Sequence, residues 1–242
     1  AVRKKNPLSK TFCVGDDWQA IYRFSGGDVS ILYNFPYYFG EHFEQLNLTQ
    51  TFRFSNQLAN ISNQFILKNS HQLKKEIHSE KSNEDCMRLM LKNDGDENES
   101  IMQIIKEISN NYKLLPRSFP AGTPVKPEVF DEKKHEKVDI LILNRYKKVD
   151  YTKLMNKTRR LNNVSIQYKT IHSQKGVESD YVIIDNVNEA FTGFPNKMGE
   201  DSVLHMVLEE PENFQDAEER RLFYVALTRS KKRTYVIANE KN

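Results

Sequence analysis

Residues 164–187 read VSIQYKTIHSQKGVESDYVIIDNV, and their pattern of apolar and polar residues indicates the fold class. Two β-prone runs, 164–171 and 181–187, flank a polar loop, which predicts two strands with a short connection. Further strands are predicted at 11–14, 44–48, 87–91, 138–143 and 234–238, and helices at 28–35, 55–67, 101–108, 149–161 and 216–228. Strands that alternate with helices are typical of an α/β fold with a mostly parallel sheet flanked by helices.

Composition excludes several classes of protein. The 242 residues are 38% hydrophobic and 29% charged, which is typical of a globular chain and not of a disordered or fibrous one. No apolar run approaches the roughly 20 residues of a membrane span, so no membrane partner is expected. Cys13 and Cys86 form no metal-spaced cluster, which favours a reducing, cytoplasmic location. The net charge of +3 is too mild to indicate a nucleic-acid binder by itself.

The first candidate site is VGDDWQAIYRF at residues 14–24. Because parallel sheets place ligands at the carboxyl ends of their strands, Gln19 is a candidate to sense a phosphate or to position a water molecule. The rings of Tyr22 and Phe24 are able to stack on nucleobases. The structural alternative is a turn that carries two core aromatic residues.

The second candidate site is QTFR at residues 50–53. The planar guanidinium of Arg53 is suited to clamping a phosphate, and Phe52 beside it is able to pack on a nucleobase. The structural alternative is a surface arginine next to a core phenylalanine.

The third candidate site is the loop between the two strands quoted above. His172, Ser173 and Lys175 are polar donors in a turn, and such groups can contact nucleic-acid phosphates. The loop is not a P-loop, because no glycine stands at the required distance before Gly176. The structural alternative is an ordinary polar turn.

The fourth candidate site is EERRLFYVALTR at residues 218–229. Arg229 follows the predicted helix, where it is placed to reach a neighbouring phosphate in the manner of an arginine finger. The structural alternative is an amphipathic helix with solvated charges.

In this order and spacing, the four segments resemble motifs III, IV, V and VI of superfamily 1 DNA helicases of the UvrD/Rep type. The strings HSQKGVE and YVALTR are the most specific, and DDWQAIYRF most resembles the bacterial helicase IV branch. The resemblance implies a RecA-like parallel sheet, one of two lobes that bind ATP and Mg²⁺ between them and single-stranded DNA across their top.

The resemblance also implies roles for residues of the nucleotide site. Gln19 would couple the γ-phosphate to the DNA site, and Arg53 and Arg229 would contact phosphate from the second lobe. Phe52 stands where the family usually has a tyrosine that packs on adenine, so the ring is kept and the hydroxyl is lost. Glu178 matches an acidic position near the nucleotide sugar.

For the DNA site, the resemblance places four residues near the track of the strand. These residues are Tyr22, Phe24, His172 and Lys175. The pair Phe24-Ser25 replaces a more common aromatic–arginine pair, which puts one backbone contact in doubt.

Two motifs of the family are not found in the sequence, namely the Gly-x-x-x-x-Gly-Lys-Ser/Thr loop and a strand ending in Asp-Glu before residue 14. We therefore expect the chain to be the C-terminal part of an ATP-dependent 3′–5′ DNA helicase or translocase, and to be inactive as an ATPase alone. Residues 1–40 would then be a remnant of the first lobe, and 41–242 the second lobe, with a small insertion around 92–137. The expected partners are single-stranded DNA, or DNA with a 3′ single-stranded tail, and the missing N-terminal lobe.

Two alternatives stay open from the sequence. One is a helicase-like factor that remodels RNA polymerase instead of unwinding DNA. The other is a non-catalytic module that binds single-stranded nucleic acid.

Overall fold

The centre of the fold is a five-stranded sheet in which every neighbouring pair of strands is parallel. The structure is a computed structural model that describes residues 9–92, 97–112, 137–147, 149–188, 193–197 and 214–239. The strands, in chain order, are β1 (Met87–Lys92), β2 (Val138–Asn144), β3 (Val164–Thr170), β4 (Ser179–Val187) and β5 (Ser230–Asn239). Their spatial order is β1-β5-β4-β2-β3, so β4 lies at the centre. The predicted α/β class with a parallel sheet is confirmed.

Helices and short turns connect the strands. The α-helices are α1 (Ser30–Tyr33), α2 (Phe35–Phe39), α3 (Asn56–Ile66), α4 (Glu97–Asn111), α5 (Thr152–Thr158) and α6 (Ala217–Leu227), with 3-10 turns at Asp17–Gln19, Arg23–Ser25 and His172–Gln174. Helix α3 begins where the sequence predicts, because the Ser55 side chain accepts a hydrogen bond from the Leu58 N–H at 3.4 Å. Within the described ranges, no helix has the length and apolar composition needed to cross a bilayer.

Alternate residues of the central strands face two separate apolar cores, as the period of a β-strand requires. On one face, Val182 and Ile184 of β4 pack in a cluster with α6 and with Trp18 and Ile21. On the other face, Ile183 packs with the buried isoleucines of α4. Burial of each such side chain contributes about 1.5–3 kcal/mol. The sheet therefore fixes α6, and with it the segment around Trp18, on one side.

Two predicted strands are not formed. Residues 11–14 and 44–48 have no regular secondary structure, and no described strand pairs with either. Phe12 is 91% exposed and Leu48 is 86% exposed, so these apolar side chains lie in solvent and not in a core. A strand needs a hydrogen-bonded neighbour, and the nearby chain offers only one isolated bridge, between Gln50 and His78.

Other boundaries differ by smaller amounts. The helix predicted at 28–35 is a single turn, after which α2 begins at Phe35, and the helix predicted at 149–161 is confined to α5. Most of the loop predicted at 115–137 and of the irregular stretch at 190–213 lies outside the described residues. The domain boundary near residue 40 and the insertion around 92–137 stay predictions.

Candidate functional site

Two arginines converge on Thr228 at the end of α6. Arg53 Nη1 donates to the Thr228 carbonyl at 3.3 Å, and Arg229 Nη2 donates to the Thr228 hydroxyl at 3.3 Å. Arg53 Nε also donates to Glu178 Oε2 at 3.1 Å. We call these four residues, Arg53, Glu178, Thr228 and Arg229, the arginine cluster. It unites three segments that are distant in sequence.

Arg229 is a buried cation whose partners are uncharged. Its side chain is 1% exposed, and its Nε and Nη1 donate to the carbonyls of Val225 at 2.8 Å and Val177 at 3.4 Å. Burial, together with repulsion from Arg53, lowers the pKa of Arg229 to about 10, which still leaves it charged at neutral pH. Among the described residues, no carboxylate forms an ion pair with it. This is the setting in which an external anion is stabilised.

The carboxylate of Glu178 is shared between two cations. It accepts from Arg53 and pairs with Lys231 Nζ at 2.8 Å. Hydrogen bonds from Lys231 and Arg53 lower the pKa of Glu178, so the group is ionised. Phe52, beside Arg53, is 73% exposed, so the alternative of a core phenylalanine is wrong.

A second group of predicted residues comes together at the His172–Gln174 turn. The Tyr22 hydroxyl donates to the His172 carbonyl at 2.8 Å, and the rings of Phe24 and His172 meet edge-on at 5.2 Å. Lys175 Nζ lies 5.4 Å from the centre of the Tyr22 ring. We call these residues, Tyr22, Phe24, His172 and Lys175, the aromatic cluster. Tyr22 is 37% exposed and Phe24 58%, so neither ring is a core residue.

The imidazole of His172 is held neutral. Burial and the nearby Arg145 lower the pKa of His172 to about 4. Arg145 itself is paired with Glu219 of α6, with Nη2 2.9 Å from Oε1. At neutral pH the His172 ring is therefore uncharged, and Lys175 is the basic side chain beside the three rings of the aromatic cluster.

Gln19 lies next to the aromatic cluster. Lys175 Nζ donates to the Gln19 carbonyl at 2.8 Å, and the Gln19 side-chain amide donates to the Asp16 carboxylate. A pocket of about 260 Å³ opens beside this turn, lined in part by Asp16, Tyr22 and Lys175. Of the nine residues to which the resemblance assigns a role, eight thus lie in, or next to, the arginine cluster or the aromatic cluster. The ninth, Phe52, follows the chain next to Arg53, but its side chain is largely exposed to solvent.

Sequence reasoning missed a buried polar network behind Gln19. Arg221 is 2% exposed and donates from Nε to the Ala20 carbonyl at 2.7 Å and from Nη1 to Gln72 Oε1 at 3.3 Å. Gln72 also donates to Asp17 at 2.7 Å, and Lys75 pairs with both Asp16 and Asp17. Gln72 and Lys75 stand in a polar stretch without periodicity, so no sequence signal marks them. Within the described residues, no group of His, Cys, Asp and Glu side chains is arranged to hold a metal ion.

Comparison with known proteins agrees with the order of the motifs. Residues 127–241 match the family described as the UvrD-like helicase C-terminal domain. Over 242 residues the chain is 36% identical to DNA helicase IV of Escherichia coli strain K12. This match covers all of this chain and 31% of that protein. The chain thus spans about a third of the length of this relative.

Among solved structures, the C-terminal domain of a possible DNA helicase from Lactobacillus plantarum WCFS1 resembles the chain with a TM-score of 0.36 and 14% identity. The likeness covers 78% of this chain and 88% of that chain, and at this score it supports no argument about the site. The family match and the identity to helicase IV are the informative findings. They confirm the family that the four motifs indicated: this chain carries a UvrD-like helicase C-terminal domain.

Proposed function

We propose that this chain is the C-terminal, RecA-like lobe of an ATP-dependent DNA helicase or translocase that moves 3′ to 5′. In this proposal the arginine cluster contacts the phosphates of ATP, and the aromatic cluster holds single-stranded DNA. The observation that carries the proposal is the convergence of Arg53 and Arg229 on Thr228, with the Arg229 cation buried among uncharged partners. The similarity to DNA helicase IV supports DNA as the nucleic acid that is bound.

The chemistry of the arginine cluster fits a polyphosphate. Two guanidinium groups close together repel each other, and a phosphate between them would relieve that repulsion and offset part of the desolvation of Arg229. Charge that develops on the γ-phosphate during transfer would be met by donors that are already in place. Bound ATP supplies the phosphoryl group, and Mg²⁺ would be held mainly by the lobe that carries the motifs missing from this sequence. Phe52 offers an exposed ring to the base, and Glu178 offers a carboxylate to the sugar.

The aromatic cluster fits single-stranded nucleic acid. Exposed rings provide stacking surfaces that tolerate any sequence, and Lys175 adds a cation for the backbone. The mild net charge of the chain agrees with binding by stacking and a few placed cations, not by a broad basic face.

In this proposal Gln19 connects the two sites. Its carbonyl accepts a hydrogen bond from Lys175 of the aromatic cluster, and its side-chain amide donates to the Asp16 carboxylate. A strand that displaces Lys175 would move the backbone of the residue whose amide is proposed to face the γ-phosphate. We propose that this is how DNA binding stimulates hydrolysis.

Steady-state ATP turnover in the full-length protein, with and without single-stranded DNA, tests the proposal. Arg229→Ala is expected to lower turnover by a factor of about 10³, as loss of an arginine finger does in other NTP hydrolases. Arg160→Ala, at an exposed arginine outside both clusters, is the control and should leave turnover unchanged. The 242-residue chain alone should not hydrolyse ATP, and duplexes with a 3′ tail should be unwound in preference to those with a 5′ tail. Normal turnover in Arg229→Ala, or hydrolysis by this chain alone, would refute the proposal.

A further inference from the structure

A lysine outside all four motifs holds the turn that carries Gln19. Lys75 lies in the segment between α3 and β1, nearly sixty residues from that turn in sequence. Its Nζ lies 2.6 Å from Asp16 Oδ1 and 2.9 Å from Asp17 Oδ1, and its side chain is only 12% exposed. The ammonium group also stands 4.8 Å from the centre of the Trp18 ring, between the two carboxylates. We call Asp16, Asp17 and Lys75 the lysine clasp.

The two carboxylates of the lysine clasp differ in burial and in their other hydrogen-bond donors. Asp17 is 1% exposed and already accepts from the Gln72 amide at 2.7 Å and from the Leu73 N–H at 2.9 Å, so it has neutral donors besides Lys75. The Asp16 side chain is 34% exposed, and water can solvate it without help from a lysine. The shorter of the two ion pairs is nevertheless the one to Asp16. Since Asp16 does not need Lys75 for its solvation, the effect of this contact is to fix the direction of the Asp16 carboxylate.

Asp16 is the acceptor that orients Gln19. Its carboxylate accepts from the Gln19 side-chain amide and, at 3.1 Å, from the Trp18 N–H. Without Lys75, two adjacent carboxylates would face each other at the turn and repel, and Asp16 would be drawn towards solvent. The Gln19 amide would then lose its fixed acceptor and rotate freely.

We propose that Lys75 is a positioning residue for the ATPase reaction: it fixes the Asp16 carboxylate and, through it, the side-chain amide of Gln19. This inference rests on the proposed function, since it assigns Lys75 to the control of a residue that would meet the γ-phosphate. The proposal predicts that the Asp17–Gln19 turn depends on the segment between α3 and β1, which lies outside the four motifs.

The geometric part of the proposal can be tested on this chain without ATP. Trp18 is the single tryptophan of the sequence, and its indole N–H donates to the Leu73 carbonyl at 3.1 Å, so its fluorescence reports on the clasp. Lys75→Met should change the Trp18 emission and its quenching by acrylamide, while Lys74→Met, at the exposed neighbouring lysine, should not. Lys75→Arg, which keeps the charge, should restore most of the signal. An unchanged emission in a folded Lys75→Met chain overturns the proposal.

The catalytic part is tested by turnover in the full-length protein. Lys75→Met is expected to lower kcat by up to about 100-fold with little change in the KM for ATP, as misplacement of a reacting group does. Asp16→Ala serves as a second variant, because it leaves the Lys75–Asp17 pair intact and should reproduce the loss even if Lys75→Met folds poorly. If Arg229→Ala also leaves turnover unchanged, the proposed function has failed. If Arg229→Ala lowers turnover while Asp16→Ala and Lys75→Met do not, only the positioning role is wrong.

Discussion

Replacement of Arg229 by methionine is expected to stabilise the fold while it removes the group proposed for catalysis. Methionine has about the length of the arginine stem and carries no charge, so the buried space stays filled. The change in the free energy of unfolding is the sum of two opposed contributions, and both can be estimated from the contacts of Arg229.

The first contribution is the cost of the buried charge. The pKa of Arg229 falls to about 10 because its guanidinium is desolvated, and at about 1.36 kcal/mol per pKa unit the charged form is disfavoured by about 3 kcal/mol. The second contribution is the loss of hydrogen bonds, of which only the 2.8 Å bond to the Val225 carbonyl is short. Because the donor is charged, loss of that bond costs about 1.5–3 kcal/mol. The net expectation is that Arg229→Met does not destabilise this chain and stabilises it by up to about 1.5 kcal/mol.

Equilibrium denaturation of the chain by guanidinium chloride measures this difference, and a thermal scan should show a rise of up to about 6 °C. Arg233→Met is the matched control, since Arg233 on the adjoining strand β5 is paired with Asp85 and donates to its carbonyl at 2.7 Å. That variant should be destabilised. A clear loss of stability in Arg229→Met would show that the guanidinium is a structural cap on α6, and the reasoning from an uncompensated cation would be refuted.

Two further predictions concern the aromatic cluster. Tyr22→Ala should weaken binding of a fluorescent single-stranded oligonucleotide to this chain by about 1–3 kcal/mol, the value of one base stack. Tyr37→Ala, at a tyrosine 83% exposed on α2, should leave binding unchanged. An equal loss in both variants would contradict the assignment of Tyr22 to the DNA site. Because the pKa of His172 is about 4 in the folded chain against an ordinary 6.5, the unfolded chain binds more protons between these values, and stability should decline as the pH falls through that window. His172→Asn should flatten this part of the pH dependence in denaturation measurements, and identical slopes would contradict the pKa assignment.

The parts of the fold that the sequence predicted are those with strong local signals. The β-prone runs that became β2, β3 and β4, and the Ser55 cap of α3, were evident from composition and spacing alone. The runs at 11–14 and 44–48 have similar composition but form no strands, because pairing depends on a neighbour and a short sequence does not reveal one. Strand β5 also begins four residues earlier than predicted, through a polar stretch of Ser, Lys and Arg that the ladder to β4 accommodates.

The candidate site was predictable where motifs mark it. Arg53, Glu178 and Arg229 lie in three separate motif strings, and the structure brings them around Thr228, although their roles stay predictions. Gln72 and Lys75 could not be found this way, because they act through contacts made across more than fifty residues. No local periodicity records such a contact.

The position of β5 in the sheet has a consequence for biosynthesis. This strand lies between β1 and β4, and both of these neighbours leave the ribosome before it does. Until β5 arrives, β1 has no partner in the sheet and β4 presents an open edge, so the nascent chain exposes apolar surface for most of its synthesis. A ribosome that stalls before residue 230 would release a product unable to join the two sides of the sheet. Such products are expected to be substrates for chaperones and proteases, which links the order of the strands to quality control in the cell.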